Sequence, residues 1–95
     1  MFNNTLFKAL IDKFGDKQLI VAIEELSELQ KELCKHLRGK TDVGHIAEEI
    51  ADVCIMLCQL ILYFNIRETD VLRVIDEKIK RTEERLLGGE WRWIK

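Results

Sequence analysis

The longest apolar stretch of the chain runs from Ile50 to Phe64 and is interrupted by only two polar residues, Asp52 and Gln59. It contains neither glycine nor proline, so the pattern predicts a helix that is apolar on nearly every side. Such a helix is typically buried, and we therefore expect it to be the central helix of the fold. Burial of an unpaired carboxylate is costly, so Asp52 is expected to have a partner.

Three further segments carry apolar residues at helical spacing and are separated by glycine and by residues that favour helix ends. The sequence predicts helices at about 5–14, 17–37, 43–64 and 69–87, followed by a tail at 88–95. The residues expected at the helix ends are Asn3 or Asn4, Asp16, Thr41 or Asp42, and Thr69 or Asp70 at the starts, and Gly15, Gly39 and Asn65 at the stops. No segment alternates like a strand. The prediction is therefore an all-α, four-helix bundle in a single domain of residues 1–95.

The size and composition of the chain favour self-association. A chain of 95 residues buries only about 60–65% of its unfolded surface, so its own core is small. Because 47% of the residues are hydrophobic, we expect a homo-oligomer that covers the excess apolar surface through its apolar helices.

Charge and segment length exclude several classes of partner. The net charge of −2 and the pI near 5.7 provide no basic surface for a nucleic acid. The apolar run at 53–64 is too short to span a bilayer, and the N-terminal residues do not resemble a secretory signal. The three cysteines are an odd number without zinc-finger spacing, and Cys54 and Cys58 are interpreted as small buried residues. We therefore expect a cytoplasmic protein without a membrane partner.

Two acidic clusters share the same internal spacing, since Glu25 and Glu28 are three residues apart and so are Glu49 and Asp52. Each pair therefore lies on one face of its helix. In an antiparallel hairpin, facing residues have numbers with a constant sum, and pairing Glu25 with Asp52 and Glu28 with Glu49 gives 77 in both cases. The implied turn is centred next to Gly39. Along each helix, this position differs by only about 2–3 Å from the centre of the loop that the capping residues predict. The four carboxylates are therefore expected to converge.

Converging carboxylates are suited to hard divalent cations, so Mg²⁺ is the expected cofactor and Mn²⁺ is an alternative. Because Mg²⁺ is usually held jointly by carboxylates and substrate phosphates, a phosphate-bearing substrate is implied. The competing interpretation is that acidic and basic residues simply cover solvent-exposed helix faces. That interpretation is preferred for Glu24, Lys31, Glu32 and Lys35, and His45 is expected to be an exposed first-turn residue.

The pattern Glu25-x-x-Glu28, 20 intervening residues and Glu49-x-x-Asp52 resembles the signature of the MazG-like, all-α nucleoside triphosphate pyrophosphohydrolases. The flanking segments EELSEL and EEIAD are similar to the sequences that usually surround this signature in the family, and the resemblance covers roughly residues 18–81. It implies a homodimer or homotetramer and Mg²⁺ held by these carboxylates. It also implies cleavage of a (d)NTP to a (d)NMP and pyrophosphate, including the clearing of non-canonical nucleotides.

The resemblance also suggests roles for residues outside the acidic clusters. Lys78 matches a lysine of the family's later helix and Arg81 lies one turn further, so both are candidates for binding the triphosphate. Glu24 or Glu25 is the candidate general base for a metal-activated water. Gln18, together with Lys17, is a candidate for the base pocket. Thr82 and Met56 depart from residues common in relatives, so the base specificity is not carried over.

Other readings of the sequence stay open. The chain could be a catalytically silent helical oligomerisation or regulatory module with the same fold, although none of its four carboxylates is missing. A di-iron bundle is disfavoured because no second histidine lies on a facing helix. A phosphoribosyl-ATP pyrophosphohydrolase would need more basic residues around the site. Trp91 and Trp93 are expected to cover an oligomer surface.

Overall fold

The structure, a computed structural model, describes residues 3–89, and all regular elements in this range are helices. They are α1 (Asn4–Phe14), α2 (Lys17–Leu37), α3 (Val43–Tyr63) and α4 (Glu68–Leu87). The all-α prediction and the four helices are confirmed, and each boundary lies within one residue of its predicted position. Two compact units are present, one ending at Asn65 and the other, which contains α4, beginning at Ile66. The single-domain organisation stays a prediction, and Trp91 and Trp93 lie outside the described residues.

Several helix ends form as the residue types predict. The side chain of Asn3 caps α1 by accepting a hydrogen bond from the Leu6 backbone N–H at 3.0 Å. Asp42 caps α3 in the same way, with the His45 N–H as donor at 3.0 Å. Gly39, just after α2, has a φ of 84°, and Asn65, after α3, has a φ of 53°. Glycine and asparagine tolerate this left-handed conformation best, which explains why the two helices end there.

Two expected caps are wrong. Asp16 precedes α2 but makes no side-chain cap, because its carboxylate accepts a hydrogen bond from the Tyr63 hydroxyl of α3. Thr69 and Asp70 lie inside the first turn of α4, which begins at Glu68 without a side-chain cap. Asp70 instead forms an ion pair with Arg67 at 3.0 Å. In both cases a charge-assisted or long-range partner has replaced the local capping bond.

The first unit is built on an antiparallel hairpin of α2 and α3, against which α1 packs. Its buried apolar residues are Phe7, Ala22, Val53, Met56 and Cys58. In the single chain α3 is not buried on all sides, because within this unit it has only α1 and α2 as neighbours. Asp52 and Cys54 are consequently exposed, whereas Cys58 is buried as predicted. Several apolar residues of α2 are also exposed, namely Ile23, Leu26, Leu33 and Leu37. Burial of α3 by further copies of the chain stays a prediction.

One face of α3 carries an uninterrupted apolar row that the first unit leaves uncovered. We call this row the outer seam, and it consists of Val43, Ala47, Ile50, Cys54 and Leu57. All five residues are exposed, Val43 by 73% and Ile50 by 48%. They follow one another at alternating intervals of four and three residues, which is the heptad spacing by which one helix packs against another. The outer seam is therefore suited to contact a further helix.

Candidate metal centre

The register of the α2–α3 hairpin can be read from contacts that do not involve the acidic clusters. Gln18 Nε2 donates a hydrogen bond to Gln59 Oε1 at 2.7 Å, and His45 Nδ1 lies 3.3 Å from Glu32 Oε1. In both pairs the residue numbers add up to 77, the sum that the acidic spacing predicts. The predicted register is therefore confirmed, and the two contacts bracket the acidic clusters on either side.

This register brings three of the four predicted carboxylates together. Glu25 of α2 and Glu49 and Asp52 of α3 each offer a carboxylate oxygen, and these oxygens all lie within 4.8 Å of one another. We call these three residues the acidic cluster. Glu28 lies one turn along α2 and is exposed, and its carboxylate does not belong to the group. Its expected partner Glu49 is instead directed towards Glu25 and Asp52.

The acidic cluster holds more negative charge than its surroundings balance. Burial raises the pKa of Glu25 above its ordinary value of 4.5, and the negative charges of neighbouring carboxylates raise it further, in decreasing order Asp52, Glu49, Glu28 and Glu24. The Oε2 atom of Glu49 is buried and has no hydrogen-bond partner in the described structure. A cation between these oxygens would supply the missing partner and relieve the repulsion, so the residues fit a divalent metal ion.

Two of the remaining predicted site residues, Glu24 and Gln18, lie on α2. Glu24 is exposed and its carboxylate is not among the three grouped oxygens, so of the two candidate bases only Glu25 belongs to the cluster. Gln18 lies two turns before Glu25 and is occupied by its hydrogen bond to Gln59. Gln59 is itself buried, and its Nε2 contacts Met56 Sδ at 3.6 Å.

Lys78 and Arg81 lie on α4, in the second unit. Lys78 is half-buried and its backbone carbonyl accepts a hydrogen bond from the Thr82 hydroxyl at 2.7 Å, whereas Arg81 is exposed. Their assignment to the triphosphate stays a prediction.

Glu32 is the residue whose setting the sequence interpretation missed. It was expected on a solvated face, but it is buried and its Oε1 lies 3.3 Å from both Lys35 Nζ and His45 Nδ1. Its Oε2 is buried without a hydrogen-bond partner among the described residues. The predicted register pairs residue 32 with residue 45. Extending it by one turn beyond Glu28 would therefore have indicated the contact between Glu32 and His45.

A comparison of the chain with family models, with curated proteins and with solved structures found no match. Among the residues that the structure describes, no helix has the length and apolar character needed to cross a membrane.

Proposed function

We propose that the protein is a Mg²⁺-dependent nucleoside triphosphate pyrophosphohydrolase that cleaves a (d)NTP to a (d)NMP and pyrophosphate. The observation that carries this proposal is the acidic cluster of Glu25, Glu49 and Asp52, whose oxygens lie within 4.8 Å of one another. These residues are three of the four acidic residues whose spacing resembles the MazG-like signature. The buried, unpartnered Oε2 of Glu49 supports a role in binding a cation, because such an atom is costly in a site that has only a structural purpose.

The acidic cluster would hold Mg²⁺, or Mn²⁺ in its place, with Glu28 as a further carboxylate one turn away. When bound, the cation neutralises phosphate charge and lowers the pKa of a coordinated water. Carboxylates contributed by two helices hold their positions through the hairpin register, so the site is organised before the substrate arrives.

Glu25 is the residue to which we assign the general base. A general base must lie close to the water that it deprotonates, and the carboxylate of Glu25 belongs to the acidic cluster that would hold the metal. Glu24, the other candidate, lies outside the cluster. Lys78 and Arg81 are proposed to neutralise charge on the triphosphate. Gln18 lies seven residues from Glu25, or about 10 Å along α2, so a base pocket at Gln18 would lie roughly one nucleotide length from the cluster.

The protein is further proposed to act as a homo-oligomer through the outer seam. The seam alternates small residues, Ala47 and Cys54, with large ones, Ile50 and Leu57, so a second copy in antiparallel orientation can set large side chains against small ones. The flanking residues Gly44 and Ala51 carry no charge that would select a different, charged partner. A second copy of the chain is therefore the occupant that the seam fits.

A hydrolysis assay tests the proposed activity. Canonical and modified nucleoside triphosphates are incubated with Mg²⁺ or with chelator, and the products are followed by phosphorus NMR. We expect a nucleoside monophosphate and pyrophosphate only with the metal, and loss of both in Glu49→Gln. Glu83→Gln, which removes an exposed carboxylate of α4, is the matched control and should keep full activity.

Two outcomes would contradict the proposal. Orthophosphate as the first product would mean that a different phosphoanhydride bond is cleaved. An absence of hydrolysis across the panel, together with self-association through the outer seam, would favour the alternative of a catalytically silent oligomerisation or regulatory module.

A further inference from the structure

The loop end of the α2–α3 hairpin contains a second polar group of residues, which the proposed mechanism does not use. Its centre is Glu32, whose side chain is only 5% exposed. One oxygen of this carboxylate contacts both Lys35 and His45, and the other has no hydrogen-bond partner in the part of the chain described. We call Glu32, Lys35 and His45 the loop-end triad.

The loop-end triad is poorly explained as a device for stability. Burial of a carboxylate requires that it lose its water, and even a well-paired buried ion often contributes nothing net to the free energy of unfolding. The unpartnered oxygen of Glu32 makes the balance less favourable still. What the buried carboxylate does achieve is to fix the positions of one side chain from each helix.

Both held side chains keep hydrogen-bonding capacity towards solvent. The side chain of Lys35 is 36% exposed and that of His45 is 53% exposed. A lysine ammonium has three donors, of which Glu32 uses one. Because a carboxylate only accepts hydrogen bonds, His45 must carry its proton on Nδ1, and in the imidazolium form its Nε2 is a second donor. The triad therefore presents donors and positive charge at its outer side.

The position of the triad relates it to the acidic cluster. On α3, His45 precedes Glu49 of the acidic cluster by four residues, which is one turn or about 6 Å. On α2, Glu32 follows Glu25 of the cluster by seven residues, which is two turns or about 10 Å. Residues 31–45 also contain four lysines and arginines, against two acidic residues, Glu32 and Asp42. The hairpin is thus acidic at its middle and basic at its loop end.

We propose that Lys35 and His45, positioned by the buried carboxylate of Glu32, bind the distal phosphates of a polyphosphate substrate. This inference rests on the proposed function, which identifies the substrate, and it adds the orientation in which the substrate binds. The terminal phosphates lie towards the loop at 38–42, and the nucleoside lies towards the Gln18–Gln59 end. Glu32 is a positioning residue, whereas Lys35 and His45 touch the ligand.

Binding of inorganic pyrophosphate tests this site without requiring catalysis. Calorimetric titration with pyrophosphate in the presence of Mg²⁺ is carried out on the full chain and on Lys35→Gln, His45→Gln and Glu32→Gln. We expect Lys35→Gln to weaken binding about tenfold, the effect of losing one hydrogen bond to a charged group. Lys31→Gln removes an exposed lysine one turn earlier on α2 and should bind as the wild type does.

Glu32→Gln separates positioning from a purely structural role. If Glu32 positions the two donors, this variant weakens pyrophosphate binding about as much as Lys35→Gln and raises the KM for the nucleotide more than it lowers kcat. A variant with a lower melting temperature but unchanged pyrophosphate affinity would overturn the proposal. Should Glu32→Gln not fold, the Lys35→Gln variant decides, because Lys35 is only half-buried and unchanged pyrophosphate affinity in that variant would equally overturn the proposal.

A failure of the loop-end site can be distinguished experimentally from a failure of the proposed function. Wild-type protein that binds pyrophosphate through Lys35 but hydrolyses no nucleotide would retain the anion site and refute the enzyme. Hydrolysis that is insensitive to all three substitutions would retain the enzyme and refute the loop-end site.

Discussion

The two faces of α3 differ in polarity. The face that contacts α2 carries His45, Glu49, Asp52 and Gln59, while the outer seam on the opposite side of the helix is entirely apolar. A helix in a globular protein normally turns its apolar stripe towards the core of its own chain. In this hairpin the arrangement is partly reversed, because the outer seam is exposed although Val53 and Met56 are buried. Polar pairs form part of the contact between the two long helices.

The reversal shows that pairing and burial have different causes in this protein. Polar pairs such as Gln18–Gln59 and Glu32–His45 are directional, so they specify which residues of α2 and α3 face each other. Apolar contacts are not directional, and they stabilise in proportion to the area removed from water. The polar face thus determines register, and the seam is the surface whose burial against a second copy would add stability.

The largest effect is expected from Asp52→Asn on the polar face. The amide preserves shape but removes a charge that the metal needs, so Mg²⁺-dependent hydrolysis should fall about 100-fold or more. It also removes repulsion from the acidic cluster, so the melting temperature in chelator should be unchanged or higher. The wild type should gain stability on addition of Mg²⁺ and the variant much less, as thermal melts would show.

The opposite outcome would contradict the assignment of Asp52 as a metal ligand. If Asp52→Asn is strongly destabilised in chelator and yet keeps its response to Mg²⁺, Asp52 is a structural carboxylate and not a metal ligand.

The next largest effect is expected from Leu57→Glu on the outer seam. A charge placed within a helix–helix interface costs several kcal/mol on burial, so association should weaken by about two orders of magnitude or more. Sedimentation velocity at micromolar concentration should show an oligomer for the wild type and a species near 11.2 kDa for the variant. Helical content should persist, because Leu57 is 46% exposed in the single chain.

Ser27→Glu adds the same charge at an exposed polar position of α2 and serves as the control, with the oligomer expected to survive. Wild-type protein that sediments as a monomer would show that the outer seam needs no second copy.

The smallest effect is expected at the far end of the polar face. Gln18→Leu leaves the buried amide of Gln59 without its partner and should lower the free energy of unfolding by about 1–3 kcal/mol. The double variant with Gln59→Leu should recover most of this loss, because it removes both polar groups together. Chemical denaturation of the single and double variants measures the difference.

The same variants address the proposed base pocket. A change in the preference of Gln18→Leu among nucleoside triphosphates would support a role at the base, whereas a change in stability alone would leave Gln18 as a structural contact between α2 and α3.

The hairpin illustrates how far sequence reasoning reaches in this chain. Its register followed from the spacing of carboxylates, and its turn followed separately from Gly39 and Asp42, and the two estimates agreed. The observed contacts of Gln18 and of His45 confirm the register with residues that the estimate did not use. Glu32 was missed because its spacing of three from Lys35 is also that of an ordinary surface ion pair.

The sequence by itself determined the four helices, their ends to within a residue and the residues that face each other across the hairpin. These features depend on interactions between near neighbours and on periodicity, both of which are written in the order of residues. The tertiary structure alone decided that Glu32 is buried, that Asp52 and Cys54 are exposed and that Glu28 stands outside the acidic cluster. Burial depends on how many helices surround a position and from which side, and within the first unit α1 and α2 do not cover all of the apolar residues of α3.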